Sequence, residues 1–220
     1  MTLSLFDTEP ASPEQLDEGA VLLRGFAAAQ AGQWIAEVQA LQAASPFRIM
    51  QVPGGKSMSV AATSCGEWGW ISDADGYRYS AANPQTGGSW PAMPVFLASQ
   101  AQAAARAAGY AGFAPDTCLI NRYRPGAKMG LHRDQDEADF AAPIVSVSLG
   151  LVCTFLWGGL RRQDPIRRIA LLHGDVLVWG GPTRLAYHGV SPLKEGHHHL
   201  LADERWNLTF RMAKAGYPAR

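Results

Sequence analysis

Arg205-Trp206-Asn207-Leu208-Thr209-Phe210-Arg211-Met212 alternates polar and apolar side chains without a break. Successive side chains of a strand point to opposite faces, so the stretch predicts a strand with two unlike sides. Trp206, Leu208, Phe210 and Met212 make a face suited to a core. Arg205, Asn207, Thr209 and Arg211 make a polar face, which in most proteins is simply solvated. A second segment bears on that choice. In Cys118-Leu119-Ile120-Asn121-Arg122-Tyr123 the amide of Asn121 and the phenol of Tyr123 share one strand face. Two arginines, an amide and a phenol directed into one barrel suit a dicarboxylate, because guanidinium and carboxylate pair through two parallel hydrogen bonds.

Between these strands lies a pattern of metal-ligand type. His132 and Asp134 follow the loop Arg124-Pro125-Gly126-Ala127-Lys128, and an extended backbone turns both side chains to the same face. His188 follows a Gly180-Gly181-Pro182 turn, from which a strand can return it to the same cavity. Two imidazoles and one carboxylate can bind one face of a ferrous ion and leave the opposite positions open. The plain alternative is two exposed polar residues and one hydrogen-bonded core histidine. His197-His198-His199 reads instead as a surface loop, since three consecutive side chains do not readily converge on one ion.

The rest of the chain fits a mainly β fold with flanking helices. A short strand is expected within Gly19 to Phe26. A helix follows from about Ala28 to Ala44, with Trp34, Ile35, Val38 and Leu41 as its apolar stripe. A second helix is expected from about Met93 to Ala108, stopped by Gly109. From Pro115 onward, Ile144 to Leu151, Arg168 to Leu172, Asp175 to Trp179 and Trp206 to Met212 are apolar runs between Gly and Pro turns. That spacing predicts a double-sheet jelly roll.

The segment from Arg48 to Pro91 differs in character. Glycines at 54, 55, 66, 69, 76, 87 and 88 are interleaved with Trp68, Trp70, Tyr77, Tyr79 and Trp90. Glycine supplies hairpin turns and aromatic rings supply flat faces, so the segment can stack a base lifted from a duplex or can form a small core of its own. Hairpin core is the reading for Trp68, Tyr79 and Trp90.

Composition bounds the function. The 220 residues suit one domain, and 47% hydrophobic content excludes a mainly disordered chain. Lys plus Arg and Asp plus Glu both number 19, so contact with nucleic acid rests on a local patch. Candidates are Arg161, Arg162, Arg167 and Arg168, with Arg122, Arg124 and Lys128 near the metal loop. Three scattered cysteines make neither a disulfide framework nor a zinc site and fit a reducing compartment. Met1 to Pro10 has no basic region and no long apolar run, so neither a signal peptide nor a membrane span is expected.

Taken together, Pro53-Gly54-Gly55, Met58-Ser59-Val60, Asn121-Arg122-Tyr123, His132-x-Asp134, Ala142 to Gly150, Trp179-Gly180-Gly181, His188 and Arg205-x-Asn207-x-Thr209-x-Arg211 resemble the AlkB family, in particular its bacterial members. These are ferrous-iron and 2-oxoglutarate-dependent dioxygenases that repair alkylated nucleic acids, and the likeness runs from about Pro46 to Met212. The resemblance implies a single domain over 1–220, a double-stranded β-helix core over about 115–213 and an N-terminal nucleotide-recognition lid over about 48–91. It also implies Fe(II) on His132, Asp134 and His188, with 2-oxoglutarate and O2 as co-substrates. Arg205, aided by Tyr123 and Asn207, would hold the distal carboxylate. Arg211 and Asn121 would orient the metal end, and Arg122 is counted with this co-substrate group.

For the substrate, the resemblance implies that Trp70 stacks the base, Tyr77 holds the backbone, Asp136 meets the alkylated base and Arg162 contacts the strand. Asp136 shares the face of Asp134 if the strand continues; otherwise it joins Glu137 and Asp139 in an acidic surface turn. A desolvated carboxylate favours 1-methyladenine and 3-methylcytosine, which are cationic, over neutral bases. Gly130, Ala62 and Ala186 are small residues expected near the pocket. The implied activity is oxidative demethylation of DNA, single- or double-stranded, in the cytoplasm, with no obligate protein partner; whether RNA is also used stays open. Two other readings remain at this point. One is a related dioxygenase acting on RNA, protein or a small metabolite. The other is a non-catalytic cupin-like sensor, which has no need for Arg205, Asn207 and Arg211.

Overall fold

A computed structural model of the chain describes residues 12–216, so Met1 to Pro10 lies outside the described residues. In chain order the elements are β1 (Glu14–Asp17), β2 (Ala20–Leu23), α1 (Ala31–Ala44), β3 (Arg48–Gln51), β4 (Ser57–Gly66), β5 (Gly69–Asp73), β6 (Gly76–Ser80) and α2 (Val95–Ala107). There follow β7 (Thr117–Tyr123), β8 (Met129–His132), β9 (Ile144–Gly150), β10 (Cys153–Trp157), β11 (Arg167–Leu171), β12 (Val176–Trp179), β13 (His188–Val190) and β14 (Arg205–Arg211). Eight strands form one sheet in the order β1-β2-β12-β9-β14-β7-β4-β3, four form a second in the order β11-β10-β13-β8, and β5-β6 is a separate ribbon.

The alternation in β14 explains the layering. It is a central strand, paired with β9 on one side and β7 on the other, and all seven of its residues are buried. Trp206, Leu208 and Phe210 enter a core shared with Trp34, Ile35, Val38 and Leu41 of α1 and with Leu97, Ala101, Ala104 and Ala105 of α2. The helices therefore cover one face of the large sheet. Its other face meets the small sheet across a second core that includes Tyr123, Ile144, Phe155, Trp157, Trp179 and Val190. Two stacked sheets with helices on the outside make the jelly roll expected from the strand spacing.

Local chemistry ends both helices where expected. Ser45, before Pro46, leaves the helical region with φ −140° and ψ 86°, since a following proline disfavours helical backbone. Gly109 stands just past α2 with φ +88°, the left-handed conformation that glycine adopts without cost.

The glycine-rich segment divides differently from the expectation. β3 and β4 are the edge of the large sheet, and only the β5–β6 ribbon stands apart, leaning on β3, β4 and β7. Trp90 is buried against Gly69, as its hairpin reading predicted, whereas Tyr79 is buried but turns its hydroxyl out of the ribbon to Glu137, and Trp68 is half-buried with Lys214 5.9 Å from its ring. A Cβ at Gly69 would lie 2.1 Å from the Trp90 ring, so only glycine admits that contact. No helix among the described residues is long and apolar enough to cross a membrane.

Candidate active site

A cavity of about 550 Å³ opens between the two sheets and under the β5–β6 ribbon. His132 ends β8 and His188 begins β13, and the two are direct cross-strand partners with ring centroids 4.4 Å apart. The strand stops at His132, so Asp134 reaches the same point from an irregular loop rather than by strand alternation. One ligand atom from each of His132, Asp134 and His188 lies within 4.8 Å of the others.

Hydrogen bonds behind the rings decide which nitrogen faces this point. His132 Nδ1 lies 2.9 Å from the Gly130 carbonyl and His188 Nδ1 lies 3.0 Å from the Ala186 carbonyl. A carbonyl only accepts, so Nδ1 carries the proton and Nε2 keeps its lone pair, the arrangement of metal-bound imidazoles. Burial, with the neighbouring His132 ring, pushes His188 down to about 4, which keeps it neutral at physiological pH. Burial alone would raise the Asp134 carboxyl, but Arg211, the two imidazoles and Arg184 outweigh it and hold the group well below the usual carboxylate range. Arg211 donates to Asp134 Oδ2 through Nε at 2.9 Å and Nη2 at 2.5 Å.

The floor of the cavity is the polar face of β14 with its neighbours on β7 and β9. Asn121, Tyr123, Asn207, Thr209 and Arg211 all line it. Asn207 Nδ2 donates to Ser146 Oγ at 2.8 Å. Arg205 is only 1% exposed; it lies over the Tyr123 ring at 4.9 Å and donates to Ser148 Oγ at 2.9 Å. The polar face of β14 is not solvated but lies inside the barrel with Asn121 and Tyr123, as the two strand patterns together suggested. Arg122 is corrected. Strand alternation sends it to the opposite side of β7, where it covers Phe47 at 4.7 Å and approaches Glu204 at 3.9 Å.

At the mouth, Trp70 and Tyr77 stack with centroids 5.6 Å apart and planes 12° from parallel. Trp70 Nε1 donates to Asp136 Oδ2 at 2.8 Å. Asp136 lines the cavity, although the strand that was to carry it has already ended. Arg162 stands at the rim and donates to the Leu131 carbonyl at 2.8 Å. The other candidate cations are mostly paired: Arg161 with Asp164, Arg167 with Asp17, and Arg124 with Glu204. Lys128 and Gly130 line the cavity, whereas Ala62 and Ala186 are buried in the cores beside it.

Sequence reasoning missed Glu137, Arg184 and a function for Tyr79. The alternative of an acidic surface turn fails at Glu137, whose side chain is 2% exposed and accepts from Tyr79 at 2.7 Å. No local pattern marks such a residue; only tertiary contact shows it.

The donor set fits the groups that the motifs imply. Two imidazoles and a carboxylate suit ferrous iron. Arg205 Nε and Nη1 and Arg211 Nη1 are buried without a hydrogen-bond partner, a costly state for charged donors that carboxylate oxygens relieve.

Comparison with known proteins agrees with this geometry. Residues 19–211 match the family model of the 2OG-Fe(II) oxygenase superfamily. The alpha-ketoglutarate-dependent dioxygenase AlkB of Escherichia coli strain K12 is 56% identical over 212 residues, 96% of this chain and 98% of that protein. The AlkB homolog of Caulobacter vibrioides strain NA1000 / CB15N is 46% identical over 171 residues, 77% of this chain and 76% of that one. The solved structure of OsALKBH1 superposes with a TM-score of 0.80 at 29% identity, covering 91% of this chain and 99% of that one. On this fold, this donor set and these relationships, the chain belongs to the AlkB family of the 2OG-Fe(II) oxygenase superfamily, oxygenases that work with ferrous iron and 2-oxoglutarate.

Proposed function

We propose that this protein oxidatively demethylates N-alkylated bases such as 1-methyladenine and 3-methylcytosine in DNA, releasing the alkyl carbon as formaldehyde while 2-oxoglutarate and O2 are consumed. The carrying observation is that one cavity holds the His132, Asp134 and His188 cluster, has Arg211 with an unpartnered Nη1 in its lining and Arg205 with unpartnered Nε and Nη1 buried on the same strand, and is capped by an aromatic ribbon with a carboxylate. The E. coli relative's name supports the dioxygenase class, and a mouse relative is named a nucleic acid dioxygenase.

In this reading His132 Nε2, His188 Nε2 and an Asp134 oxygen hold the metal. Iron, 2-oxoglutarate and O2 together supply the oxidising chemistry when bound, and the protein supplies position and shelter. Arg205, with Tyr123 and Asn207 beside it, receives the distal carboxylate of the co-substrate. Arg211 and Asn121 orient its metal end, Arg211 at the same time fixing the Asp134 carboxylate. Residues 48–91 serve as the nucleotide-recognition lid, chiefly through the β5–β6 ribbon, and residues 115–213 as the catalytic core. Trp70 stacks the base, Tyr77 holds the backbone and Arg162 meets the strand at the rim. Asp136, its carboxylate oriented by the Trp70 indole, prefers a cationic base over a neutral one. The substrate is single- or double-stranded DNA, the setting is the cytoplasm, and no obligate protein partner takes part.

The test is product analysis of a methylated single-stranded oligonucleotide incubated with protein, ferrous iron, 2-oxoglutarate and oxygen. Repaired base and stoichiometric formaldehyde are the expected products. Consumption of 2-oxoglutarate that no methylated oligonucleotide stimulates would instead assign the cavity to a protein or small metabolite.

A further inference from the structure

Arg184 belongs to neither the metal-ligand set nor the co-substrate set, yet it is 3% exposed and all three nitrogens of its guanidinium reach groups close to the metal cluster. It follows the short turn Gly181–Thr183. Its Nε donates to the Ala142 carbonyl at 3.0 Å, its Nη1 donates to the Asp134 carbonyl at 2.9 Å, and its Nη2 lies 3.0 Å from Glu137 Oε2. These three contacts fall at the start, middle and end of the segment between β8 and β9, which has no regular strand or helix of its own. A loop without a ladder is held only by such contacts.

We propose that Arg184 is a positioning residue for the metal centre: it fixes the main chain at Asp134 so that the carboxylate faces His132 and His188, with Glu137 as the counter-ion that keeps its guanidinium buried. The carboxylate is anchored from its other side by Arg211, so the ligand is gripped at side chain and backbone by different cations. Glu137 joins the two grips, with Oε1 3.3 Å from Arg211 Nε, and accepts from Tyr79 of the ribbon. Groups behind a metal ligand set its orientation and hence its affinity.

The inference rests on the reading of the three residues as a metal site, and the experiment separates the two. Apoprotein is titrated with Co(II) alone, following affinity and the visible absorption bands, with thermal melting alongside. Wild-type protein that binds no Co(II), or Asp134→Ala that binds it as wild type does, sinks the metal site itself. Given a wild-type site that needs Asp134, folded Arg184→Met is expected to bind Co(II) about 10- to 100-fold more weakly, with altered bands. Arg184→Lys, which can reach one carbonyl, is expected to recover part of the affinity. Folded Arg184→Met with affinity within twofold of wild type and unchanged bands overturns the proposal, as does weakening that only follows the unfolded fraction. Should Arg184→Met not fold, Arg184→Lys decides: unchanged affinity and bands overturn the proposal, and weaker binding with shifted bands supports it.

Discussion

Two groups of histidines sit at almost the same spacing and differ in the polarity of one hydrogen bond. The rings of His132 and His188 are 4.4 Å apart, and those of His173 and His198 are 4.3 Å apart. In the first group each Nδ1 faces a backbone carbonyl, so Nε2 has a free lone pair. In the second, Nδ1 of His173 accepts from Gly150 N–H at 2.9 Å and Nδ1 of His198 accepts from Leu200 N–H at 3.3 Å. A backbone N–H can only donate, so these neutral rings carry their proton on Nε2 and have no lone pair to give. No carboxylate completes the second cluster, and His132, Asp134 and His188 are the one metal-ready group among the described residues. Proximity of imidazoles is therefore poor evidence for a metal site; what the backbone does to Nδ1 is better evidence.

The largest effect that can break this comparison is loss of the one carboxylate in the proposed triad. Asp134→Ala should abolish demethylation and reduce Co(II) affinity by more than the roughly 10- to 100-fold typical of groups behind a ligand. His198→Ala should leave both within about twofold. Equal losses in the two variants, read by metal titration, would erase the distinction.

The same contrast between satisfied and unsatisfied groups extends to the floor. Arg205 has buried donors without partners, so Arg205→Ala should weaken 2-oxoglutarate binding by about ten- to a hundredfold, the span of a hydrogen bond to a charged group. Calorimetric titration checks this, and an unchanged isotherm would return the cavity to the sensor reading. At the mouth, Trp70→Ala should cost about 1 to 3 kcal/mol of oligonucleotide binding, roughly five- to more than a hundredfold, while uncoupled 2-oxoglutarate decarboxylation persists. Trp90→Ala makes the control, because it empties the ribbon core and should lower the melting temperature. Unaltered oligonucleotide affinity in folded Trp70→Ala would remove that ring from the substrate site.

The smallest effect concerns acid. Burial, then His198 and His199, lower the pKa of His173 in the folded chain. A histidine depressed in this way stabilises the fold above its unfolded pKa of about 6.5, and that contribution is lost as pH falls through the lower folded value. His173→Asn keeps an acceptor for Gly150 N–H without titrating, so it should trim the melting-point loss between pH 7 and pH 5 by no more than about 2 °C, the ring being only half-buried. A larger acid sensitivity in the variant would show that the hydrogen-bond argument has the wrong sign.

Much was legible in the chain because it depends on period and local chemistry. The alternation of Arg205 to Met212, the helical stripe of Trp34, Ile35, Val38 and Leu41, and the stop at Gly109 all follow from backbone geometry that acts over a few residues. His132, Asp134 and His188 were readable as a set because their residue types suit one ion. Direction was less secure. Arg122 sits between Asn121 and Tyr123 in sequence and across the sheet from them in space, since strand neighbours face opposite ways. Asp134 and Asp136 reach the cavity from a loop, not from the strand that alternation suggested.

The sequence by itself determined the fold class and the layers, and singled out a candidate metal-ligand set, through hydrophobic period, turn residues and ligand chemistry. Only the tertiary structure decided that the polar face of β14 lies inside, that Trp70 orients Asp136, and that Glu137 and Arg184 brace the loop of Asp134. The reason is range. Period and capping act between residues a few positions apart, whereas Arg184 meets Asp134 across 50 positions and Trp70 meets Asp136 across 66. Contacts so distant exist only after two sheets and a ribbon have closed around a common cavity, and no local pattern announces them.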